Sequence, residues 1–313
     1  MIEVRHLCKS FGRNVAVDDL SFTVDRGEVM GFLGPNAAGK STTMRMITGF
    51  LPPSSGSASI GGSDIVKDSR KARKKIGYLP ENAPAYPDMT VIGFLDFIAG
   101  IRGFFGREKG RRIEEILERC FLTEVRYQPI DTLSKGFKQR VCFAQSIIHD
   151  PEYLIMDEPT DGLDPNQKHE VRAMIREMSR DKTIILSSHI LEEVDEVCTR
   201  AIIIANGRIV ADDTPGGLRA RSPLHGAIRL TIRKKKEKES ALKDIDHLPD
   251  VIRTEVIDET ESDMVLRIYP VKDSESSTDP ILRHLLEKEF SVEAFSVEEG
   301  RLDDVFRMVT KAK

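Results

Sequence analysis

Gly34-Pro35-Asn36-Ala37-Ala38-Gly39-Lys40-Ser41-Thr42 is the stretch on which the reading of the whole chain turns. It fits G-x-x-x-x-G-K-[ST], with the apolar run Val29 to Leu33 before it and a helix-like run, Thr42 to Thr48, after it. A strand–loop–helix of this kind curls successive backbone N–H groups around a polyphosphate, and the helix N-terminus adds partial positive charge. In such a loop the lysine, here Lys40, bridges the β- and γ-phosphates, and the hydroxyl of Ser41 ligates Mg²⁺. At average glycine usage the pattern arises by chance in a chain of this length about once in a hundred. The loop therefore predicts a site for a nucleoside triphosphate.

Working outward, Tyr153-Leu154-Ile155-Met156-Asp157-Glu158 reads as a buried strand that delivers two carboxylates at its C-terminal end. That is where α/β sheets place their ligands. Asp157 is expected to hold Mg²⁺ through its water shell, because Mg²⁺ dehydrates reluctantly. Glu158 is expected to polarise an attacking water as general base. An isolated Asp-Glu before Pro159 would be an ordinary acidic turn; downstream of a phosphate loop the catalytic reading takes precedence.

Further stretches add a family likeness. Leu133-Ser134-Lys135-Gly136-Phe137-Lys138-Gln139-Arg140 resembles the signature of the ABC ATPases, usually L-S-G-G-Q, and lies shortly before the Asp157-Glu158 strand as it does in that family. Asp161-Gly162-Leu163-Asp164 is similar to the D-loop, Ser187-Ser188-His189 to the switch histidine, and Ile76-Gly77-Tyr78-Leu79-Pro80-Glu81 to the Q-loop. Phe11 stands where an aromatic stacks on adenine. The ordered set covers essentially residues 1–220.

The resemblance implies ATP as the nucleotide, bound through Phe11 and the loop from Gly34 to Thr42, with Lys40, Glu158 and His189 as the catalytic set. It implies that Ser41, Asp157 and Glu81 hold the metal. Ser134 and Gly136 would meet the γ-phosphate held by a partner subunit, from the N-terminus of a helix beginning near Phe137, and Asp164 would communicate across that interface. The partner would be a second copy or a paired ATPase subunit, sandwiching two ATPs head to tail.

Three positions depart from the common family form. Lys135 and Phe137 replace Gly and Gln in the signature, a variant that resembles the ABC-2 exporters of drugs and polysaccharides. The pattern of the chain as a whole resembles bacterial members, including the gliding-motility branch. Glu81 replaces the Q-loop Gln; it can still ligate Mg²⁺ but adds negative charge near the triphosphate. Ala37 replaces a common Gly and would cost about 1–2 kcal/mol if the loop needs a left-handed backbone there.

The organisation of the chain agrees with an α/β core. Thr183 to Leu186 reads as another strand, as do Asp18 to Val24 and Ala201 to Val210, with turns at Arg26-Gly27 and Asn206-Gly207. Between Asp88 and Phe121 the pattern turns helical: Thr90 caps a helix carrying Phe94, Leu95, Ile98 and Ile101, and Ile113, Ile116, Leu117, Cys120 and Phe121 form a second stripe. The expected fold is thus a P-loop NTPase core over 1–220 with a helical subdomain inserted at about 83–150. In this family that insert, here roughly Ala83 to Gln128 with Phe94, Phe97, Phe104 and Phe105, meets an integral membrane permease.

A linker at Thr214-Pro215-Gly216-Gly217 and Ser222-Pro223 separates a second domain, 221–313. Its predicted elements are strand 227–233, helix 240–248, strands 252–258 and 264–268, helix 280–290, strand 292–297 and a terminal helix 302–309. The first six follow the βαββαβ order of a ferredoxin-like α+β plait, with Asp273 to Asp279 as a solvated loop. This domain resembles the C-terminal extension of ABC-2 export ATPases, with Leu302-Asp303-Asp304-Val305-Phe306 matching their closing motif.

Composition narrows the function classes. A net charge of -4 over 313 residues gives no concentrated basic surface for nucleic acid, and Arg233 to Lys236 reads as a solvated strand end. The separated Cys8, Cys120, Cys142 and Cys198 read as free thiols in a reducing compartment. No stretch approaches the ~18–20 apolar residues of a membrane span, and Met1 to His6 lacks the apolar core of a signal peptide. The expectation is a cytoplasmic subunit, peripheral on the inner face of the cell membrane, that works on a separate permease. The alternative is a soluble ABC ATPase acting on a ribosome or other complex, but such proteins usually carry a second cassette or a long coiled coil. A P-loop kinase would have no use for the signature.

Overall fold

The structure, a computed structural model, describes residues 1–81, 85–233, 238–248, 250–271 and 274–311. The chain divides into two compact units, Met1–Pro215 and Gly216–Lys311, so the break falls inside the Thr214 to Gly217 stretch.

The first unit begins with β1 (Ile2–Phe11), β2 (Asn14–Val24), β3 (Val29–Leu33), α1 (Lys40–Ile47), β4 (Ser55–Ile60), β5 (Ser63–Asp64), α2 (Ser69–Lys74) and β6 (Ile76–Leu79). A helical segment follows, α3 (Val91–Ile101), α4 (Gly106–Arg119) and α5 (Lys135–Ile147). The unit closes with β7 (Tyr153–Asp157), α6 (Pro165–Met178), β8 (Thr183–Ser188), α7 (Leu191–Val197), β9 (Arg200–Ala205) and β10 (Arg208–Asp213). The short α8 (Pro215–Arg219) comes next.

Two sheets build this unit. One is antiparallel, in order β2-β1-β4-β5. The other has six strands in order β10-β9-β3-β8-β7-β6, parallel from β9 to β6, with β10 antiparallel at the edge. Strands β3, β7 and β8 are buried at every residue, as expected of apolar runs in a parallel sheet covered on both faces. Strand β2 alternates buried and exposed positions over its second half, the pattern of a sheet with one wet face. The core joins residues of both sheets and of α1, among them Leu20, Phe22, Phe32, Met44 and Ile155, with the rings of Phe22 and Phe32 5.7 Å apart.

The helices form where the sequence places them, but the buried stripes are shorter than expected. Ile101, at the end of α3, and Phe121, beyond α4, are exposed because each stands at a helix end that turns out to solvent. Thr90 caps α3, its hydroxyl accepting from the Gly93 N–H at 3.2 Å, and Ile113, Ile116 and Leu117 are the buried stripe of α4. Residue 83, where the insert was placed to begin, lies outside the described residues.

Several assignments change. Ala201 to Val210 is not one strand but the arms of the β9–β10 hairpin. Asn206 and Gly207, at φ 52° and 76°, make the left-handed two-residue turn that matches strand twist. Strands β1 and β4 and helices α2, α6 and α7 are not among the expected elements, although α6 carries a regular buried stripe, Val171, Met174, Ile175 and Met178, behind its Asp164 cap.

The second unit contains β11 (Ile228–Arg233), α9 (Lys238–Asp246), β12 (Val251–Glu259), β13 (Asp263–Pro270), α10 (Ser274–Glu287), β14 (Val292–Val297) and α11 (Leu302–Lys311). The sheet is antiparallel throughout, in order β12-β13-β11-β14. Its core gathers Ile228, Leu230, Ile232, Met264, Leu266, Ile268, Ile281 and Leu285. Asp273 lies outside the described residues, and Ser274 to Asp279 is not a loop but the first half of α10, with Pro280 inside the helix. Ile281 and Leu285, buried in this core, anchor the helix and override the polar composition of its start. Residues 234–236 of the basic run lie outside the described set.

Candidate active site

The parallel sheet sets the site. Leu33 pairs with Ser188, Asp157 with Ser187, and Leu79 with Met156, so β3, β8, β7 and β6 end at one level. The turns leaving those ends carry the phosphate loop, Ser188-His189, Glu158 and Glu81.

In the phosphate loop Ala37 is left-handed at φ 64°, and Gly39, at φ 106°, precedes the first turn of α1. A Cβ on Gly39 would sit 2.5 Å from the Ala16 carbonyl oxygen, and one on Gly34 2.6 Å from that of Ile204. Both glycines are needed because neighbouring backbone closes on the loop. The β9–β10 turn braces it, since the Gly207 N–H donates to Ala38 O at 3.1 Å and the Asp18 N–H to Gly207 O at 2.9 Å. Nothing in the sequence pattern pointed to this brace.

Lys40 is buried and donates to Gly34 O at 2.7 Å and Pro35 O at 3.3 Å, folding its ammonium over the loop. Burial lowers its pKa, while Glu158, Asp157 and Glu81 oppose the shift; all three predicted acids therefore share its electrostatic neighbourhood. Asp157 is buried and accepts a hydrogen bond from Ser187 Oγ. The Glu158 N–H donates to Ser187 Oγ at 3.1 Å. Ser187 thus orients both acids, a role the motif alone did not disclose.

Glu158 has a left-handed backbone, φ 52°, which costs about 1–2 kcal/mol in a side-chain-bearing residue. Such strain collects at functional sites. Glu158 Oε2 lies 2.8 Å from His189 Nδ1. Burial raises the Glu158 pKa, and hydrogen bonding and charge from His189, then Lys40, pull it down. Glu81 follows β6 and is exposed, and Phe11 closes β1 half-exposed, with Lys9 Nζ 5.3 Å from its ring centre.

Ser134 is the N-cap of α5, its hydroxyl accepting from the Phe137 N–H at 3.3 Å. The helix therefore starts at Lys135, two residues earlier than expected. Lys135 Nζ pairs with Asp161 Oδ2 at 2.8 Å, and the Gln167 side chain fills the space beside Gly136. Asp164 caps α6, accepting from the Gln167 N–H at 3.0 Å.

Comparison with known proteins fits this arrangement. The model of the ABC transporter family matches residues 17–161. The chain is 37% identical over 233 residues to the linearmycin resistance ATP-binding protein LnrL of Bacillus subtilis, covering 74% of this chain and 75% of that one. The chain belongs to the ABC transporter ATP-binding family. It is also 39% identical over 223 residues to the probable multidrug ABC transporter ATP-binding protein YbhF of Escherichia coli, covering 71% of this chain; the match spans only 38% of that relative's length. A solved ATP-binding subunit of an ABC transporter superposes with a TM-score of 0.66 at 32% identity, covering 71% of this chain and 92% of that one.

These family members are α/β P-loop cassettes, and the first unit has that architecture, with the helical segment inserted between β6 and β7. Of the sequence-predicted ABC residues, Lys40, Asp157, Glu158, Glu81 and His189 fall within one electrostatic neighbourhood, linked through Lys40 and Glu158. Ser134, Gly136 and Asp164 instead gather at the facing N-termini of α5 and α6. Among the described residues no helix is long and apolar enough to cross a membrane. Cys120, Cys142 and Cys198 are free and buried, and burial pushes the Cys120 and Cys142 thiols up to about 12.

Proposed function

We propose that the chain binds and hydrolyses ATP and, as a dimer, drives a separate membrane permease of the export type. The observation that carries this reading is the Glu158–His189 pair beside Lys40 and Asp157 at one edge of the parallel sheet. The phosphate loop Gly34 to Thr42 would cradle the triphosphate, Lys40 would turn from the loop carbonyls to the phosphates, and Phe11 would stack on adenine. Ser41, Asp157 and Glu81 offer hard oxygen donors, which suit a Mg²⁺ that keeps several waters. When bound, that ion would neutralise charge on the phosphate oxygens. Glu158 would take a proton from the attacking water, while His189 holds its carboxylate and contacts the γ-phosphate.

The first unit would be the nucleotide-binding domain and the second an accessory domain. Ser134 and Gly136, at the α5 N-terminus, would meet the ATP of the partner subunit, and Asp164 would face the dimer interface. Exposed Phe97 and Phe105, and a cleft lined by Phe50, Arg73, Tyr78 and Arg102, support a permease contact; Phe94 is core and Phe104 is covered by Arg112. Relatives named for multidrug transport, linearmycin resistance and Nod factor export favour export. The chain would then work at the inner face of the membrane.

Glu158→Gln tests the reading. ATP binding should persist and turnover fall by about 10²–10⁴-fold, the usual worth of a general base. Wild-type turnover in that variant would remove Glu158 from the chemistry. Co-purification of a multi-span membrane protein with the chain would test the transport half.

A further inference from the structure

Helix α7 places two adjacent glutamates in its first turn, and they do opposite things. Glu192 is exposed, while Glu193 is fully buried, at 0% exposure. A carboxylate at a helix N-terminus gains a little from the dipole at the surface, which accounts for Glu192. Burying one is costly unless it is paired and hydrogen-bonded. Among the described residues Glu193 forms no ion pair within 4 Å, so a structural salt bridge does not explain it.

Its hydrogen-bond donor among the described residues lies in the turn that holds the candidate histidine, and a buried hydroxyl of the turn after the candidate base lies nearby. Ser188 Oγ donates to Glu193 Oε2 at 2.5 Å, and the same hydroxyl accepts from the Ile190 N–H at 3.0 Å. Ser188 and Ile190 flank His189. On the other side lies Thr160, itself buried, in the turn that follows Glu158 and is closed by the Asp161 N–H on Glu158 O at 3.2 Å. Its hydroxyl is near enough to favour the ionised carboxylate, but the contact is looser than a formed hydrogen bond: Thr160 Oγ1 and Glu193 Oε1 each lack a well-placed partner among the described residues. Arg172 and Lys168 of α6 add a weaker field.

We propose that Glu193 is a positioning residue, whose buried carboxylate anchors the Ser188–Ile190 turn through the Ser188 hydroxyl and so fixes His189 against Glu158. The 2.8 Å contact between those two residues joins a His189 side chain that is 55% exposed to a Glu158 side chain that is 12% exposed, so the histidine is not locked by its own packing. A buried anchor beneath the turn that carries His189 supplies what that side chain lacks. The catalytic consequence rests on the ATPase reading; the geometric one does not.

The test uses the full-length chain with two readouts. In steady-state ATP turnover, Glu193→Ala is expected to lower kcat about tenfold with KM for ATP changed less than about twofold, the split of an interaction that matters in the transition state. Glu193→Gln keeps an oxygen acceptor for Ser188 and should recover kcat to within about twofold of wild type. Ser188→Ala should reproduce the loss, and the double variant should lose no more than either single one, because both break the same link. An additive double variant, an unchanged kcat in Glu193→Ala, or a Gln variant as damaged as the Ala variant would overturn the proposal. If Glu193→Ala fails to fold by thermal melting, Ser188→Ala, which removes one hydroxyl, carries the same test. The second readout is the ring ¹⁵N shifts of His189 without nucleotide. They should move in Glu193→Ala and Ser188→Ala while those of His225, in the other unit, stay put; unmoved His189 shifts would overturn the proposal. If the chain shows no turnover and Glu158→Gln changes nothing, the ATPase reading fails, and the His189 shifts still decide the role of Glu193.

Discussion

His189 Nδ1 lies 2.8 Å from Glu158 Oε2, and the His189 backbone N–H reaches the same oxygen at 3.4 Å. The proposed base is thus held by the residue proposed to sense the γ-phosphate. Burial pushes the Glu158 carboxyl up, and His189 is the strongest influence pulling it back. A carboxylate with a raised pKa is ionised only at higher pH, so a reaction that needs it ionised loses rate sooner as pH falls. Replacing His189 by Ala removes the opposing influence. The acid limb of the kcat–pH profile should therefore move upward in His189→Ala, together with a fall in kcat of about 10²-fold or more. An acid limb that stays in place would separate the histidine from the base.

The phosphate loop makes two predictions of opposite sign. Ala37 is left-handed at φ 64°, so Ala37→Gly relieves backbone strain and should stabilise the chain by about 0.5–1 kcal/mol after the added freedom of the unfolded glycine is counted. Gly39, at φ 106°, has the Ala16 carbonyl oxygen 2.5 Å from where a Cβ would stand. Gly39→Ala must move backbone, so a loss above about 2 kcal/mol and of nucleotide binding is expected. Chemical denaturation and nucleotide titration of the two variants measure both.

Lys135, the signature departure, pairs with Asp161 at 2.8 Å, yet the two side chains are 66% and 49% exposed. Solvent and salt screen such a pair, and it holds two mobile side chains still. Lys135→Met should therefore change stability by less than about 1 kcal/mol, and less again at high salt. A larger loss in urea unfolding would show that the contact anchors the α5 N-terminus rather than decorating it.

How far the sequence carried the reading follows from where the information sits. The phosphate loop was legible because its glycines and lysine serve a local backbone shape, with strand before and helix after. The Asp157-Glu158 pair was legible because an apolar strand delivers it. Ser187 and Glu193 were opaque in their roles because each acts through residues brought close only by the sheet, about 30 positions away for Ser187 and Asp157. The Gly207 brace was hidden for the same reason: it joins the far end of the first unit to Ala38. In the second unit, α10 was misread as partly loop because its anchors, Ile281 and Leu285, lie in the C-terminal half of the helix.

His149 gives the structure a pH dependence apart from catalysis. It follows α5, with Nε2 3.0 Å from Ile76 O, so a neutral ring with hydrogen on Nε2 donates to that carbonyl. Its Nδ1 is buried without a hydrogen-bond partner among the described residues. Burial, then the nearby Arg102, pushes the imidazole down to about 4, from 6.5 when unfolded. Between those pH values the unfolded chain takes up a proton that the folded chain refuses, so stability falls as pH falls from 6.5 toward 4. Below about 4 both forms are protonated and the loss is complete. A shift of this size corresponds to at most about 3–4 kcal/mol, less what solvent reaching the half-buried ring recovers. His149→Gln keeps an N–H for the Ile76 carbonyl and cannot titrate. Its unfolding free energy should therefore decline less steeply than that of the wild type across the window, with the two curves running parallel above pH 7. Parallel curves across the whole range would mean that the ring takes its proton as readily folded as unfolded.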